Sequence, residues 1–546
     1  MLERVATAVA EPARAFGQDP GPWAERFLAR MQALEFLPNS PTLMNAGIAG
    51  GQLAACFVLP LHDDLDSIFG TLRLPARIQQ SGGGTGFSFS ALRPYGDLVR
   101  STGGVSSGPV SFIELFDHAT RVIRAGERRR GANMAVLRID HPDIELFINA
   151  KGTSGTLDNF NLSVGMTTEF FNALRLGERF ALRNPHGGGV VRHLDPNRLF
   201  EEIANVACAS GDPGLLFLDE INRFHVTPSL GEIEATNPCG EQPLFPYESC
   251  ILGSLNAAAF VRDREVDWAR LKEAIQDAVV FLDNVIEINC YPSHEIEEAT
   301  RRTRKIGLGI MGWADLLAKI ELPYDSDEAR RLAAQLAAFL TAHARRASVA
   351  LAVERGSFSA FRQSVWPARG YAALRNATVT CIAPTGTISL LAGCSSGIEP
   401  FFALATRRRF LDNRVVTEVN KLLQQALEPL GSAGKEALAE VEESGSLANT
   451  AGIPQEIKRS FETALKVRPE AHLRMQAAFQ AHIDAAVSKT VNLPTATAPD
   501  VVRRLFLMAH ALHLKGLTVY RYGSRERQPL SLIHEDARPD CRECAA

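Results

Sequence analysis

Apolar residues recur three and four positions apart through WARLKEAIQDAVVFLDNVIEI, which follows Asp267, and through DEARRLAAQLAAFLTAHARRASVALAVER, which lies between Ser326 and Gly356. That spacing gathers them on one face of a helix, with Asp267 and Ser326 as N-caps and Gly356 as a stop. A shorter pattern, PWAERFLARMQALEFL over 22–37, predicts a helix that runs into a loop at the turn-rich PNSPTLMNAG. Other apolar runs are short. ATVTCIA (377–383) has the β-branched content of a buried strand, and SPTL, CFVLP and GLLFL are further strand candidates. SGGGTGFS and STGGVSSGP are dense enough in Gly and Ser to form tight turns around short strands, where backbone can approach a ligand. Long helices alternating with short strands predict a mixed α/β chain.

Composition narrows the function. The chain has 546 residues, 46% hydrophobic and 22% charged, with a net charge of -4. That describes a soluble globular protein with no general pull towards nucleic acid or anionic membrane, so small molecules and other proteins are the expected partners. The N-terminus, MLERVATAVAEPARAF, lacks the features of a signal peptide, and a cytoplasmic location is expected. Nine cysteines are too few for a disulfide scaffold. Their positions therefore carry the information.

In NPCGE, Pro238 and Gly240 hold Cys239 in a tight loop between Asn237 and Glu241, and Cys250 follows in YESC. An amide, a sulfur and a carboxylate at one loop tip form a hydrogen-bonding group, a reactive centre and a general base. A nucleophilic cysteine would need a histidine, and none of the thirteen lies near this loop in sequence. A zinc site would need close-spaced pairs, and only Cys541 and Cys544 in the terminal CREC offer one. Neither reading accounts for the whole stretch.

PNSPTLMNAG, GQLAACFVLP, LRPYGDLVRSTGG, RRRGANMAVLRIDHPDI, NPCGE with YESC, FLDNVIEIN, KIGLGIMGWAD, APTGTIS, MQAAFQAHIDAAVSKTVNLP and YRYGSRERQ occur in that order. Through these motifs nearly the whole chain resembles the adenosylcobalamin-dependent (class II) ribonucleotide reductases. The resemblance implies a ten-stranded α/β barrel with NPCGE on a central finger loop. A helical N-terminal region is expected over 1–37, the barrel over 38–522 and a flexible redox tail over 523–546. With so short an N-terminal region, an ATP-binding cone is not expected. GLGIMG (307–312) fits the dinucleotide fingerprint, but it follows the charged RRTRK and heads no clear βαβ unit, so it is expected to be a barrel strand and turn.

The implied activity is reduction of ribonucleotides, diphosphates by subgroup, to 2'-deoxyribonucleotides with adenosylcobalamin as cofactor. Cys239 matches the cysteine that becomes a thiyl radical and removes the 3' hydrogen. Glu241 matches the base for the 3'-hydroxyl proton, and Asn237 the amide that orients the sugar hydroxyls. Cys56 and Cys250 match the dithiol that supplies two electrons and closes to a disulfide. Cys541 and Cys544 match a tail pair that re-reduces it, fed by thioredoxin or a similar dithiol reductant. Ser40, Ala55, Cys56, Gly84, Pro238 and Gly240 match substrate-lining positions. Pro384, Thr385, Gly386, Thr387 and Ile388 in APTGTIS match the phosphate site, where a strand-to-helix turn offers free N–H groups. Asp63, Arg93 and Arg130, the last in the basic run 124–133, match contacts to a deoxynucleotide effector. A homodimer is implied. Cys208, Cys290, Cys381 and Cys394 match no role and are expected to be packing residues.

Three rivals differ in what they require. A large subunit fed by a separate diiron radical subunit needs adjacent tyrosines near the end of the barrel, whereas Tyr520 stands between Val519 and Arg521. Tyr522, two residues on, is expected to face the opposite way. A glycyl-radical enzyme needs a radical-bearing glycine loop, which VYRYGSRERQ does not resemble. A catalytically silent nucleotide-binding protein would not need Cys56, Cys239, Glu241 and Cys250 together.

Overall fold

The short apolar runs become the staves of a barrel. The computed structural model describes residues 1–99, 103–123, 131–152, 156–409, 415–448 and 450–524. Its principal strands are β1 (Cys56–Leu59), β2 (Gly84–Ser88), β3 (Asn133–Arg138), β4 (Phe160–Met166), β5 (Gly214–Phe217), β6 (Ser249–Asn256), β7 (Ile306–Met311), β8 (Thr490–Leu493) and β9 (Gly516–Arg521). Strands β1 to β5 pair in parallel. So do β6 with β7 and β8 with β9. The segment 380–382 is the tenth stave, bridging Leu308 to Thr380 and Ile382 to Val487. The two parallel sets run against each other at two seams, β5 with β9 and β6 with β1. This is the expected ten-stranded α/β barrel.

Helices pack outside the staves. Trp268–Ile288 begins where the Asp267 side chain accepts the Arg270 N–H, and Asp327–Arg355 begins where Ser326 accepts that of Ala329 and ends at Gly356. The N-terminal helices Leu2–Ala10 and Pro20–Gln32 dock on the first of these. Phe27 meets Phe281 edge to face at 5.0 Å, and Asn284 Nδ2 donates to the Val9 carbonyl at 2.9 Å. No helix among the described residues is long and apolar enough to cross a membrane.

Three local expectations need correction. The helix read over 22–37 stops at Gln32, because Leu34 turns into the left-handed region and Phe36–Pro38 pairs with β6 instead. SPTL is neither loop nor strand: Ser40–Asn45 is a short helix whose cap, Asn39, accepts the Thr42 N–H at 2.8 Å. Pro41 in its first turn loses no intrahelical bond. ATVTCIA is buried, but only Thr380 and Ile382 make ladder bridges. GLGIMG is strand β7 followed by a left-handed Gly312, as expected.

The core has distinct layers. A large apolar layer fills the space between staves and helices, and a smaller one inside the barrel includes Cys56, Val58, Val136, Leu244, Cys250 and Cys381. After residue 400 the chain leaves the barrel, builds a separate core from Leu404, Leu423, Leu427, Val441 and Phe461, and returns.

Candidate active site

Between β5 and β6 a hairpin, Ala235–Thr236 with Pro243–Leu244, pushes NPCGE into the barrel. Asn237 closes its tip. The Asn237 backbone N–H donates to the Gln242 carbonyl at 3.1 Å, its Oδ1 accepts the Gln242 N–H at 3.0 Å, and its carbonyl accepts the Gly240 N–H at 3.1 Å. The staves leave room for it. A Cβ on Gly86 would lie 1.8 Å from the Thr236 carbonyl oxygen, and one on Gly84 would lie 2.8 Å from Pro238. Asn161 Nδ2 and the Ala486 N–H then hold the inserted backbone, donating to the carbonyls of Pro238 at 2.8 Å and Glu241 at 3.0 Å. Glycine here is a requirement of close approach.

Cys239 is exposed at the tip and opens onto a cavity of about 1150 Å³. Beneath the finger, Cys56 and Cys250 face each other in register across the β1/β6 seam, with 4% and 0% of their surfaces exposed. Directly opposed residues of antiparallel strands have Cα atoms about 4.5 to 5.5 Å apart, within the span a disulfide bridges. Both are free thiols here. Asn237 Nδ2 donates to Cys56 Sγ at 3.0 Å and so ties the finger to the pair. Burial raises the Cys56 thiol well above its ordinary pKa, and the Glu241 carboxylate adds to the effect. Burial does the same to Cys250, with Cys381 and Glu241 reinforcing it and Lys305 opposing it.

Behind Cys250 lies a buried ion pair, Lys305 Nζ to Glu248 Oε2 at 2.6 Å. Thr303 Oγ1 donates to the other carboxylate oxygen at 2.6 Å. Burial, reinforced by the Lys305 charge, pushes the nearby His225 down to about 4.

The structure gathers Ala55, Cys56, Gly84, Asn237, Pro238, Cys239, Gly240, Glu241 and Cys250 around the finger. Pro384 and Gly386 line the same cavity as Cys239. Thr385 takes a left-handed φ of 57° at the head of the helix Gly386–Ala392, its Oγ1 accepting the Gly397 N–H at 2.8 Å. Thr387 is exposed and Ile388 buried in that helix. Ser40 heads its own short helix and does not line the cavity. Asp63 and Arg93 meet each other: Arg93 Nε donates to Asp63 Oδ2 at 2.6 Å, and His186 Nε2 lies 2.6 Å from the same oxygen. Arg130, Cys541 and Cys544 lie outside the described residues.

Several site residues escaped the sequence reading. Asn161, Gln242, Lys305 and His186 sit in unremarkable strand or loop patterns, and only the charged Glu248 beside Cys250 carried a local signal. Cys394 lines the cavity wall, and burial pushes its thiol up to about 12. Tyr520, on β9, also lines the cavity. Strand alternation does not turn Tyr522 away, since residues two apart share a face. The strand ends at Arg521, and Tyr522 follows in a turn.

Comparisons with known proteins agree with this fold. The ribonucleotide reductase barrel domain matches residues 54–371 and 368–520, and the all-alpha domain of the same family matches 1–51. A vitamin B12-dependent ribonucleoside-diphosphate reductase of Mycobacterium tuberculosis (strain CDC 1551 / Oshkosh) is 52% identical over 510 residues, covering 93% of this chain and 73% of that protein. One of the same name from Thermoplasma acidophilum is 47% identical over 530 residues, covering 96% and 69%. Among solved structures, the Actinobacillus ureae class Id ribonucleotide reductase alpha subunit superposes with a TM-score of 0.79 at 23% identity, covering 96% of this chain and 94% of that one. With its finger, thiol pair and glycine-lined staves assembled as described, this chain belongs to the ribonucleotide reductases, alongside those named as vitamin B12-dependent ribonucleoside-diphosphate reductases.

Proposed function

We propose that the chain reduces ribonucleoside diphosphates at Cys239, with Cys56 and Cys250 as the electron donors. The observation that carries this reading is the vertical arrangement of one cavity-facing cysteine above two buried thiols in register, joined by Asn237. Cys239, as a thiyl radical, removes the 3' hydrogen. Glu241 takes the 3'-hydroxyl proton and Asn237 orients the sugar hydroxyls. One of the paired thiols protonates the departing 2'-hydroxyl, which leaves as water. The pair gives up two electrons and closes to a disulfide as its second hydrogen goes to C2', Glu241 returns its proton to the 3' oxygen, and Cys239 returns its hydrogen to C3'. Burial keeps both donor thiols protonated at neutral pH, so each has a proton to give.

The cavity is the candidate site for a large cofactor beside the nucleotide. Its volume of about 1150 Å³ exceeds the roughly 300–1,000 Å³ of an ordinary small-molecule site. The exposed Leu390 and Leu391, with Phe402, would hold an apolar face, and Ser395, Asn420 and Lys421 polar edges. Adenosylcobalamin, when bound, supplies a radical through homolysis of its cobalt–carbon bond. Pro384 to Ile388 receive the substrate phosphates. Asp63, Arg93 and Arg130 bind a deoxynucleotide effector, which must compete with the ion pair that Asp63 and Arg93 make with each other. Cys541 and Cys544 re-reduce the donor pair through a mixed disulfide, fed by thioredoxin or a similar dithiol. The working form is a cytoplasmic homodimer.

The test is turnover of a ribonucleoside diphosphate by the purified chain with dithiothreitol, with and without adenosylcobalamin. Product is expected only with the cofactor. Activity that appears only on adding a metal-containing second subunit would overturn the cofactor assignment.

A further inference from the structure

Glu399, His472 and Lys489 form a buried cluster at the cavity that the chemistry above does not use. The Lys489 side chain is 0% exposed. Its Nζ donates to Glu399 Oε2, to His472 Nδ1 at 2.9 Å and to the Thr490 carbonyl at 3.1 Å. An ammonium has three donors, and all three are used. Because His472 accepts at Nδ1, its proton sits on Nε2, which donates to the Ala464 carbonyl at 3.1 Å. Burial, with the Lys489 charge beside it, keeps this imidazole neutral. The other Glu399 oxygen accepts the Thr490 N–H at 2.8 Å. Tyr324 closes the cluster, its ring 6.0 Å from Lys489 Nζ and its hydroxyl donating to the Ile398 carbonyl at 2.8 Å.

These bonds converge on a neck. Glu399 lies just before the chain leaves the barrel, and Ala464 lies where it comes back. There Phe401 and Thr463 bridge, and the Ala464 N–H donates to the Phe401 carbonyl at 2.7 Å. Lys489 and Thr490 belong to the barrel wall at β8. Just past the departing arm, Phe402, Ala403 and Leu404 line the cavity that holds Cys239, as does Ala464 on the returning arm. One lysine thus joins both arms of the neck to the staves.

A buried ion pair is a weak source of net stability, but it can fix one arrangement among several, because a misplaced arm leaves a charge unpaired. We propose that Lys489 is a positioning residue that acts through Glu399 and His472 to hold the neck, residues 399–404 and 463–464, against the cavity. It thereby sets the affinity of the cavity for its occupants without touching the reacting atoms. This rests on reading the cavity as the site of nucleotide and cofactor. If loss of the pin leaves the neck in place in about one molecule in ten, apparent affinity falls about tenfold.

The experiment compares the full chain with Lys489→Met, Glu399→Gln and the double variant. Adenosylcobalamin binding is read by absorbance, nucleotide KM and kcat by steady-state turnover, and the neck by hydrogen exchange at the Ala464 and Thr490 amides. Each single variant is expected to raise the cobalamin Kd and the nucleotide KM about tenfold, with kcat at saturation within about twofold. The double variant should be no worse than the worse single one, and both amides should exchange faster in all three. Unchanged Kd and KM, a fall in kcat alone, or additive losses would overturn the proposal. Wild-type chain that fails to bind adenosylcobalamin would instead sink the reading of the cavity, while unchanged exchange at the two amides would still overturn the pin by itself. Should Lys489→Met not fold, Glu399→Gln keeps the side chain's shape and one of its two acceptor oxygens, removes the charge and carries the same expectations.

Discussion

Two buried polar clusters on opposite faces of the barrel wall use burial in opposite ways. Outside the staves, Asp283 is 0% exposed and meets Arg304 at 2.8 Å, Arg375 at 3.3 Å and Arg355 at 3.4 Å, with Asn376 donating at 3.0 Å. Burial alone would raise its pKa, but the Arg304, Arg375 and Arg355 charges outweigh that and hold it below the ordinary aspartate value. Inside, the Lys305 cation acts on Cys250 too weakly to offset burial, and burial pushes both thiols up. The first cluster stays charged because every charge is answered. The second stays neutral because a buried thiolate beside Glu241 would be costly. One carries its charge inside the fold and the other keeps its hydrogens, as the proposed donor role requires.

Substitutions should separate the two. Cys239→Ser is expected to abolish turnover, including a single round, while its melting temperature stays close to wild type, since the residue is exposed. Deoxynucleotide formed in one round by the serine variant would refute the radical role. Asp283→Ala should do the reverse, losing about 3 to 5 kcal/mol in urea denaturation because Arg304, Arg375 and Arg355 lose the buried carboxylate they share and keep only Glu287 and Glu354, with activity falling only as the chain unfolds. The stabilisation from this depressed carboxylate is full above about pH 4 and is lost as pH falls through its lower folded value, so the acid limb of a pH–stability curve should flatten in Asp283→Asn.

His225, beside the Glu248 and Lys305 pair, gives a smaller effect in a different window. Its folded pKa of about 4 lies below the free value of 6.5, so the unfolded chain binds the extra proton between them. Stability should therefore fall by up to about 3 kcal/mol as pH drops from 6.5 towards 4, and His225→Gln should remove that slope. An unchanged slope in the variant would show that other groups set it. The smallest effect on stability belongs to Cys541→Ser with Cys544→Ser, which should leave urea denaturation unchanged. Turnover should persist with dithiothreitol and fail with thioredoxin alone. Equal loss with both reductants would remove the shuttle role.

What was legible in the sequence was what is decided locally. Asp267, Ser326 and Gly356 bound their helices because a cap needs only the next turn. NPCGE advertised a site because no packing need explains its residues. SPTL misleads because Thr42 and Leu43 suggest a strand, whereas Asn39 just before it and Pro41 within it together start a helix. The pairings that complete the site join distant positions: Asn161 to Pro238 across 77 residues, and Lys489 to Glu399 across 90. A lysine in AVSKTVNLP reads as a surface charge until the fold supplies its carboxylate.

The seam between β1 and β6 makes the proposed donor pair an interlock on assembly. Cys56 belongs to the first set of staves and Cys250 to the second, and the finger emerges from the chain between them. A nascent chain that has completed only β1 to β5 has neither Cys239 nor its second donor thiol. The thiol pair comes into existence only when β6 lays itself against β1, so the first set of staves on its own cannot form it. An oxidised crosslink between these two cysteines would therefore mark molecules in which the two sets of staves have met at this seam, whether or not they have ever met a nucleotide.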